Sequence, residues 1–319
     1  MQEKENSLGT EPIGKLIFKY SIPTAFTLMV NYFYNIVDQI FIGQGVGVTG
    51  MAATNVSMPF ITISSAAALL LGDGCAAGMS LNLGRKDQEE ADRIVSHTIT
   101  MLIVSGMILA IVYSIFAAKI VRVFGATDSS FLDALWYARI IILGLPFLMI
   151  SISLTAIIRA DGNPRYTMKC MIVGSVINLI LDPVFIFGLD MGVIGAGIAT
   201  IIGEIVAGML CFRYLWHLKS VHIQKAALQP EKDRTKRILA LGFPSFLTQI
   251  MGAAVQIVMN NLMTFYGASS VYGSDLALSV YGMIMKIYQI AHSMFVGIAA
   301  ATQPINGYNF GARSYVRVR

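Results

Sequence analysis

The sequence predicts an all-α fold: a polytopic membrane bundle built from two repeated helical lobes, the second of them incomplete. Three observations carry that expectation. The first is composition: of 319 residues, 55% are hydrophobic and 13% charged, with a mean hydropathy of +0.67, whereas soluble domains carry about 25% charged residues. The second is the recurrence of apolar runs of about 20 residues, each long enough to cross a bilayer as a helix. They fall at 20–42, 56–79, 97–117, 134–158, 170–187, 194–215, 238–265 and 276–301. The third is an internal repeat. Lys15-Leu16-Ile17 followed by Ser21-Ile22-Pro23 resembles Lys236-Arg237-Ile238 followed by Gly242-Phe243-Pro244, and Asn82-Leu83-Gly84 resembles Asn309-Phe310-Gly311.

Spans seven and eight therefore repeat spans one and two. A repeat of six spans is even, so both copies enter the membrane in the same sense, related by an axis along its normal. This divides the chain into a first lobe (1–215, spans one to six), a basic linker (216–237) and the opening of a second lobe (238–319, spans seven and eight). About eight of twelve helices are then present, and the chain is expected to be a fragment or truncated product of a longer protein.

Charge placement sets the orientation. All of the 23 lysines and arginines except Lys119, Arg122, Arg139 and Lys286 fall on one side of this arrangement, and the positive-inside rule makes that side, with both termini and the linker, cytoplasmic. Trp136 and Trp216 fall at opposite interfaces. The net charge of +5 thus reflects topology, and no nucleic-acid partner is implied. The polar N-terminus leads directly into a full-length span, so no cleavable signal peptide is expected.

In chain order, span one carries Asp38 in NIVDQIFIGQG, about 7 Å below the outer surface at 1.5 Å rise per residue. Pro23 and three nearby glycines give the span places to bend. Span two ends in LLLGDGCAAGMSLNLG; Asp73 between two glycines reads as close helix packing with an acid that caps a neighbouring cytoplasmic group. Spans three and four are apolar, and Arg139 in the outer part of span four either faces a pocket or snorkels to the interface. RADGNPR (159–165) is a strong turn signal. Spans five and six, NLILDPVFIFGLDMGVIGAGIATIIGE, carry Asn178 and Asp182 on one helix and Thr200 and Glu204 on the next. Each pair is spaced i, i+4 and shares a helix face. Pro183 has no N–H to donate and frees a carbonyl beside the acid. Span eight holds Lys286, too deep to dismiss, and His292.

A carboxylate in an apolar span is costly unless it meets a partner, a cation or water, so Asp38 and Asp182, expected at one depth with Thr200, form a candidate functional site. Asn178 and Thr200 add neutral oxygens suited to a hard cation or hydrogen bonds to a carboxylate. Two carboxylates in one low-dielectric site disfavour simultaneous ionisation. Nothing enzymatic is evident: there is no HExxH, and His97, His217, His222 and His292 are scattered, as are Cys75, Cys170 and Cys211, which read as small core residues.

VDQIFIGQG, LLLGDGCAAGMSLNLGRKD, IIRADGNPR, NLILDPVFIFGLDMGVIGAGIAT and QPINGYNFGAR together resemble the multidrug and toxic compound extrusion (MATE) family, in its bacterial multidrug-cation branch. The resemblance covers essentially the whole chain. It implies a twelve-helix plasma-membrane transporter of two six-helix lobes around a cleft, exporting amphipathic, often cationic, drug-like compounds by alternating access against inward-moving H⁺ or Na⁺. It implies a coupling-ion site at Asp38, Asn178, Asp182 and Thr200, a helix bend at Pro23, no enzymatic activity, no cofactor beyond the coupling cation, and a monomer in the bilayer. Glu204, Arg139 and Lys286 are candidate pocket residues. The second-lobe acids of some members are not evident, the counterpart of Asp38 being Met259. An alternative within the superfamily, a lipid-linked oligosaccharide flippase, calls for a cavity lined with Lys and Arg, whereas the deep charges of the first lobe here are mainly acidic.

Overall fold

The protein, in a computed structural model, is described over residues 7–124, 131–224, 231–271 and 273–318. Its described elements are helical: α1 (Ser7–Thr10), α2 (Ile13–Gly45), α3 (Val48–Gly84), α4 (Gln88–Val123), α5 (Phe131–Ala160), α6 (Pro164–Pro183), which continues into a π-helical turn (Val184–Gly188), α7 (Gly192–Tyr214), which continues into a 3-10 turn (Leu215–His217), α8 (Lys232–Ala268), α9 (Gly273–Gly311) and α10 (Tyr315–Val318). Six of the eight apolar runs lie inside one of the long helices, and the runs 170–187 and 194–215 end in the π-helical and 3-10 turns that continue α6 and α7. In lipid only a helix satisfies its own backbone over such a length.

Six of these stretches, on α3 to α8, are both long and apolar enough to cross a membrane. Helix α2, with 33 residues, is long enough but diluted by Asn31, Asn35, Asp38 and Gln39. Helix α9 is longer still, at 39 residues, and several of its side chains lie outside those described. Helix α8 begins at Lys232, inside the segment 216–237 that the sequence assigns to the linker, because the polar stretch before the apolar run is itself helical.

Local signals explain the joints. Asp87 caps α4, its carboxylate accepting the Glu90 N–H at 3.1 Å, with Glu89 and Glu90 in the first turn. In the RADGNPR turn Gly162 adopts φ +93°, and Pro164 opens α6.

Helix α3 is central, packed on α5 on one side and α8 on the other; α2 packs on α6 and α9, and α7 on α5 and α6. The helices approach closely at glycines. A Cβ on Gly74 would collide with the Ile238 carbonyl of α8, and one on Gly242 with the Leu70 carbonyl of α3. A second reciprocal crossing joins α3 to α9 through Gly84 and Gly311, the two glycines that end the repeated Asn-x-Gly motif. The repeat extends to a hydrogen bond the sequence comparison did not contain: the Thr27 hydroxyl donates to the Pro23 carbonyl at 2.7 Å, and the Thr248 hydroxyl to the Pro244 carbonyl at 2.8 Å.

The basic end of the bundle is held by polar contacts. Arg159 lies 3.8 Å from the Asp73 carboxylate, so the GlyAspGly motif does combine close packing with an acid facing the connector after α5. Gln303 of α9 donates to the Asp73 carbonyl at 3.0 Å. The segment after α7 runs across α4 to α6 as a strap. Asp161, 4% exposed, accepts the N–H groups of Lys219 and Ser220 (2.7–3.1 Å) and the Tyr214 hydroxyl at 2.9 Å. Asp92 accepts the His222 N–H at 2.9 Å. Burial pushes the Asp161 carboxyl above its ordinary range, outweighing these donors. Arg234 then pairs with Glu90 at 3.0 Å, and His97 meets the Thr235 hydroxyl at 2.8 Å.

The glycine crossings predict a sharp contrast. Gly74→Ala forces α3 away from α8 and lowers stability by about 1–3 kcal/mol, despite alanine's better helix propensity. Gly14→Ala, whose new methyl meets nothing within 4 Å, is neutral or raises stability by up to about 1 kcal/mol. Thermal unfolding in detergent distinguishes them; equal melting temperatures for both variants contradict the crossing.

A candidate cation site between α2, α6 and α7

Asp38 arrives from α2, Asn178 and Asp182 from α6, and Thr200 from α7. Their burial is nearly complete: Asp38 is 9% exposed, Asn178 3% and Asp182 0%. The Asp38 and Asp182 carboxyl groups come within side-chain reach of each other, and Gln39 lies within reach of Asp38. Asp38 Oδ1 is buried and has no hydrogen-bond donor directed at it. The sequence placed these acids at one depth; the structure brings them together.

Asn178 links the two sides of the hairpin. In either orientation of its amide, a nitrogen donor faces the Asp182 carboxyl at 3.3 Å. With the nitrogen toward Asp182 Oδ2, the amide oxygen accepts the Thr200 N–H at 3.1 Å, which satisfies both ends. The Thr200 hydroxyl donates to the Ala196 carbonyl at 2.9 Å, leaving its lone pairs directed at the site. Two carboxylates, an amide and a hydroxyl are hard donors, the chemistry that suits a proton or a sodium ion. The orphaned Oδ1 of Asp38 is a vacant acceptor in that set.

The backbone beside the acids is irregular. Regular α6 ends at Pro183, which lacks an N–H, and the chain closes a π-helical turn, Leu189 N–H bonding the Val184 carbonyl at 2.9 Å. Such turns concentrate at functional sites. The end of α2 rests on it: a Cβ on Gly45 would collide with Ile186, so displacement of this turn is felt by the helix that carries Asp38.

Tyr34 and Tyr137 lie within electrostatic reach of Asp38 and Asp182. Tyr34, four residues before Asp38, shares its helix face and was open to detection by spacing; Tyr137 comes from α5 and carries no such signal. Glu204, one turn along α7 from Thr200, lines a small cavity of about 10 Å³ with Ile61, Ile141, Gly144, Leu145, Leu148, Thr200 and Ile201. Arg139 does not join it. This residue is exposed, its guanidinium 5.4 Å from the centre of the equally exposed Trp136 ring, so the snorkelling alternative holds and the pocket role is withdrawn. Lys286 falls on α9 with its side chain outside those described.

A family model described as MatE matches residues 23–184, the stretch that holds Asp38, Asn178 and Asp182. The chain belongs to the MATE family. It is 27% identical over 304 residues to the multidrug export protein MepA of Staphylococcus aureus (strain NCTC 8325 / PS 47), across 94% of this chain and 65% of MepA. It thus spans about two thirds of that relative's length. Among solved structures, a MATE protein in a straight conformation superposes with a TM-score of 0.89 at 26% identity, over 98% of this chain and 68% of that one. A MATE protein in a bent conformation gives 0.85 at 26% identity, over 96% and 67%. With its apolar helices, the chain is a multi-pass membrane protein of this family.

A double-mutant cycle tests the Asn178 bridge. Asn178→Leu is expected to cost about 1–3 kcal/mol because it strands a buried Asp182 oxygen. In an Asp182→Leu background the same change costs far less, because the acceptor is gone. Additive losses on denaturant unfolding contradict the bridge.

Proposed function

We propose that this MATE chain works as a secondary active exporter of amphipathic, often cationic, drug-like compounds, exchanging them for H⁺ or Na⁺ at Asp38, Asn178, Asp182 and Thr200. The observation that carries the reading is the contact between two buried carboxyl groups on different helices, each helix interrupted by proline. Loading a cation between the carboxyls relieves their repulsion and draws α2 toward α6; losing it lets them part. Pro23 and the turn after Pro183 supply the compliance that turns this into a change of shape. Alternating access follows if the cleft faces opposite sides in the two states.

The straight and bent conformations reported for similar MATE structures support two shapes of this scaffold, and the name of MepA supports multidrug export as the activity. The reading includes a two-lobe organisation (1–215 and 238–319, joined by 216–237), a bacterial plasma-membrane location with the basic end cytoplasmic, a monomer acting on small molecules, and transport rather than enzymatic chemistry. The acidic lining of the first lobe favours cationic cargo over a pyrophosphate-linked one.

Efflux of a fluorescent organic cation from cells producing the protein, driven first by a proton gradient and then by a sodium gradient, tests the assignment. Asp38→Asn and Asp182→Asn are each expected to reduce efflux by about tenfold or more. Whichever gradient sustains wild-type efflux identifies the coupling ion. Undiminished efflux in both variants refutes the roles given to these acids.

A further inference from the structure

Two of the three cysteines, on different helices, are brought together by the fold. Helices α6 and α7 run antiparallel and touch backbone to backbone. A Cβ on Gly174 would fall 2.7 Å from the Gly203 carbonyl oxygen and 2.9 Å from the Ala207 Cβ; one on Gly203 would fall 2.7 Å from the Gly174 carbonyl oxygen. One turn back along α6 and one turn on along α7 from the Gly174–Ala207 pair stand Cys170 and Cys211. Their thiols come within side-chain reach of each other. The close approach persists beyond them, where the Tyr166 hydroxyl donates to the Leu210 carbonyl at 3.0 Å and the Tyr166 and Tyr214 ring centres lie 4.7 Å apart.

Both cysteines are free thiols, Cys170 1% and Cys211 0% exposed. The Thr155 hydroxyl lies 4.0 Å from the Cys211 sulfur, and Tyr166, only partly buried, borders the pair from the basic end. Thiols serving only as small apolar filling need no common register. A disulfide does, because its Cα atoms must stand about 4.4–6.8 Å apart, and the glycine crossing one turn away holds the two backbones close. Burial keeps bulky reagents out, whereas hydrogen peroxide is small and uncharged. Once one sulfur is oxidised, the other is already in place to attack it.

We propose that Cys170 and Cys211 form a redox-active dithiol, a modification site at the basic end of the α6–α7 hairpin that reduces a peroxide and closes into a reversible disulfide. The step balances. One sulfur attacks the peroxide, an S–O bond forms as the O–O bond breaks, and water leaves; the second sulfur then displaces the hydroxyl of the sulfenic acid as a second water. Two thiols and one hydrogen peroxide become one disulfide and two waters, the sulfurs losing the two electrons that the peroxide oxygens gain. A reducing compartment holds the pair open, and a peroxide closes it. The bridge ties the helix that carries Asn178 to the helix that carries Thr200, and its formation does not depend on the transport reading.

The test uses the full chain in membrane vesicles, treated with hydrogen peroxide and, separately, with the azo oxidant diamide, then denatured in iodoacetamide and digested. Of the three thiols, two are expected to be lost and recovered as a linked peptide pair containing Cys170 and Cys211, which dithiothreitol separates. Cys75, whose sulfur faces the Ile94 carbonyl of α4 at 4.0 Å, remains free and is alkylated. The oxidised protein unfolds at a higher temperature than the reduced one, because the bridge closes a loop of the unfolded chain. Cys170→Ser abolishes the link and the shift, and Cys75→Ala keeps both. Three alkylated thiols after both oxidants overturn the proposal, as does a link that joins two chains or includes Cys75. If Cys170→Ser does not fold, the wild-type peptide map and its reversal by dithiothreitol decide the matter alone.

Discussion

Two carboxyl groups in contact inside a bundle of apolar helices cannot both carry charge unless something positive sits with them. At short range in a low dielectric, unrelieved repulsion between two carboxylates costs several kcal/mol, comparable with the whole stability of a small domain. A proton or a small cation between Asp38 and Asp182 removes that cost. The surroundings follow from it: Asn178 gives Asp182 a neutral donor, Thr200 anchors the amide from the facing helix, and no basic residue is fixed beside the pair in the described contacts. A lysine there would neutralise the site permanently and abolish its response to ions.

The constraint has consequences for shape because of where the acids are mounted. Asp182 precedes a proline and a π-helical turn, and Asp38 lies on α2, whose end rests on that turn and whose flank packs on α9. Helix α2 therefore touches both the cation site and α9, the second helix of the repeated pair. The glycine crossings of α3 with α8 and α9 hold backbone against backbone, and the strap that follows α7 is pinned by Asp92 and Asp161 at the basic end. Movement initiated at the opposite end meets a firm base, the arrangement a lever requires.

Much of this was legible in the sequence because membrane burial leaves strong marks. Apolar run length located every long helix, and the i, i+4 spacing of Asn178 and Asp182 placed both in one site. The repeat located Gly84 and Gly311, which turned out to touch. Other features were not readable. The strap depends on backbone N–H groups of Lys219, Ser220 and His222, and backbone donors look alike in any sequence. Arg139 was ambiguous because one turn of helix separates a pocket-facing from a lipid-facing position, and its aromatic partner Trp136 decided the matter. Tyr137 reaches the acids through the packing of α5 on α7, a long-range contact without local periodicity. The first turns of α8, from Lys232 to Arg237, carry no apolar signal because hydropathy marks where a helix enters lipid rather than where it begins.

The central claim is that Asp38 and Asp182 act as one unit sharing a single positive charge. Difference infrared spectroscopy of the carboxyl region, recorded as sodium is added to the purified protein at fixed pH, addresses it most directly. The account predicts that a protonated-carboxyl band present before addition is lost or shifted on cation binding, and that Asp38→Asn and Asp182→Asn each alter that band. A band that responds to neither substitution, or two carboxylates fully ionised before any cation is added, contradicts it.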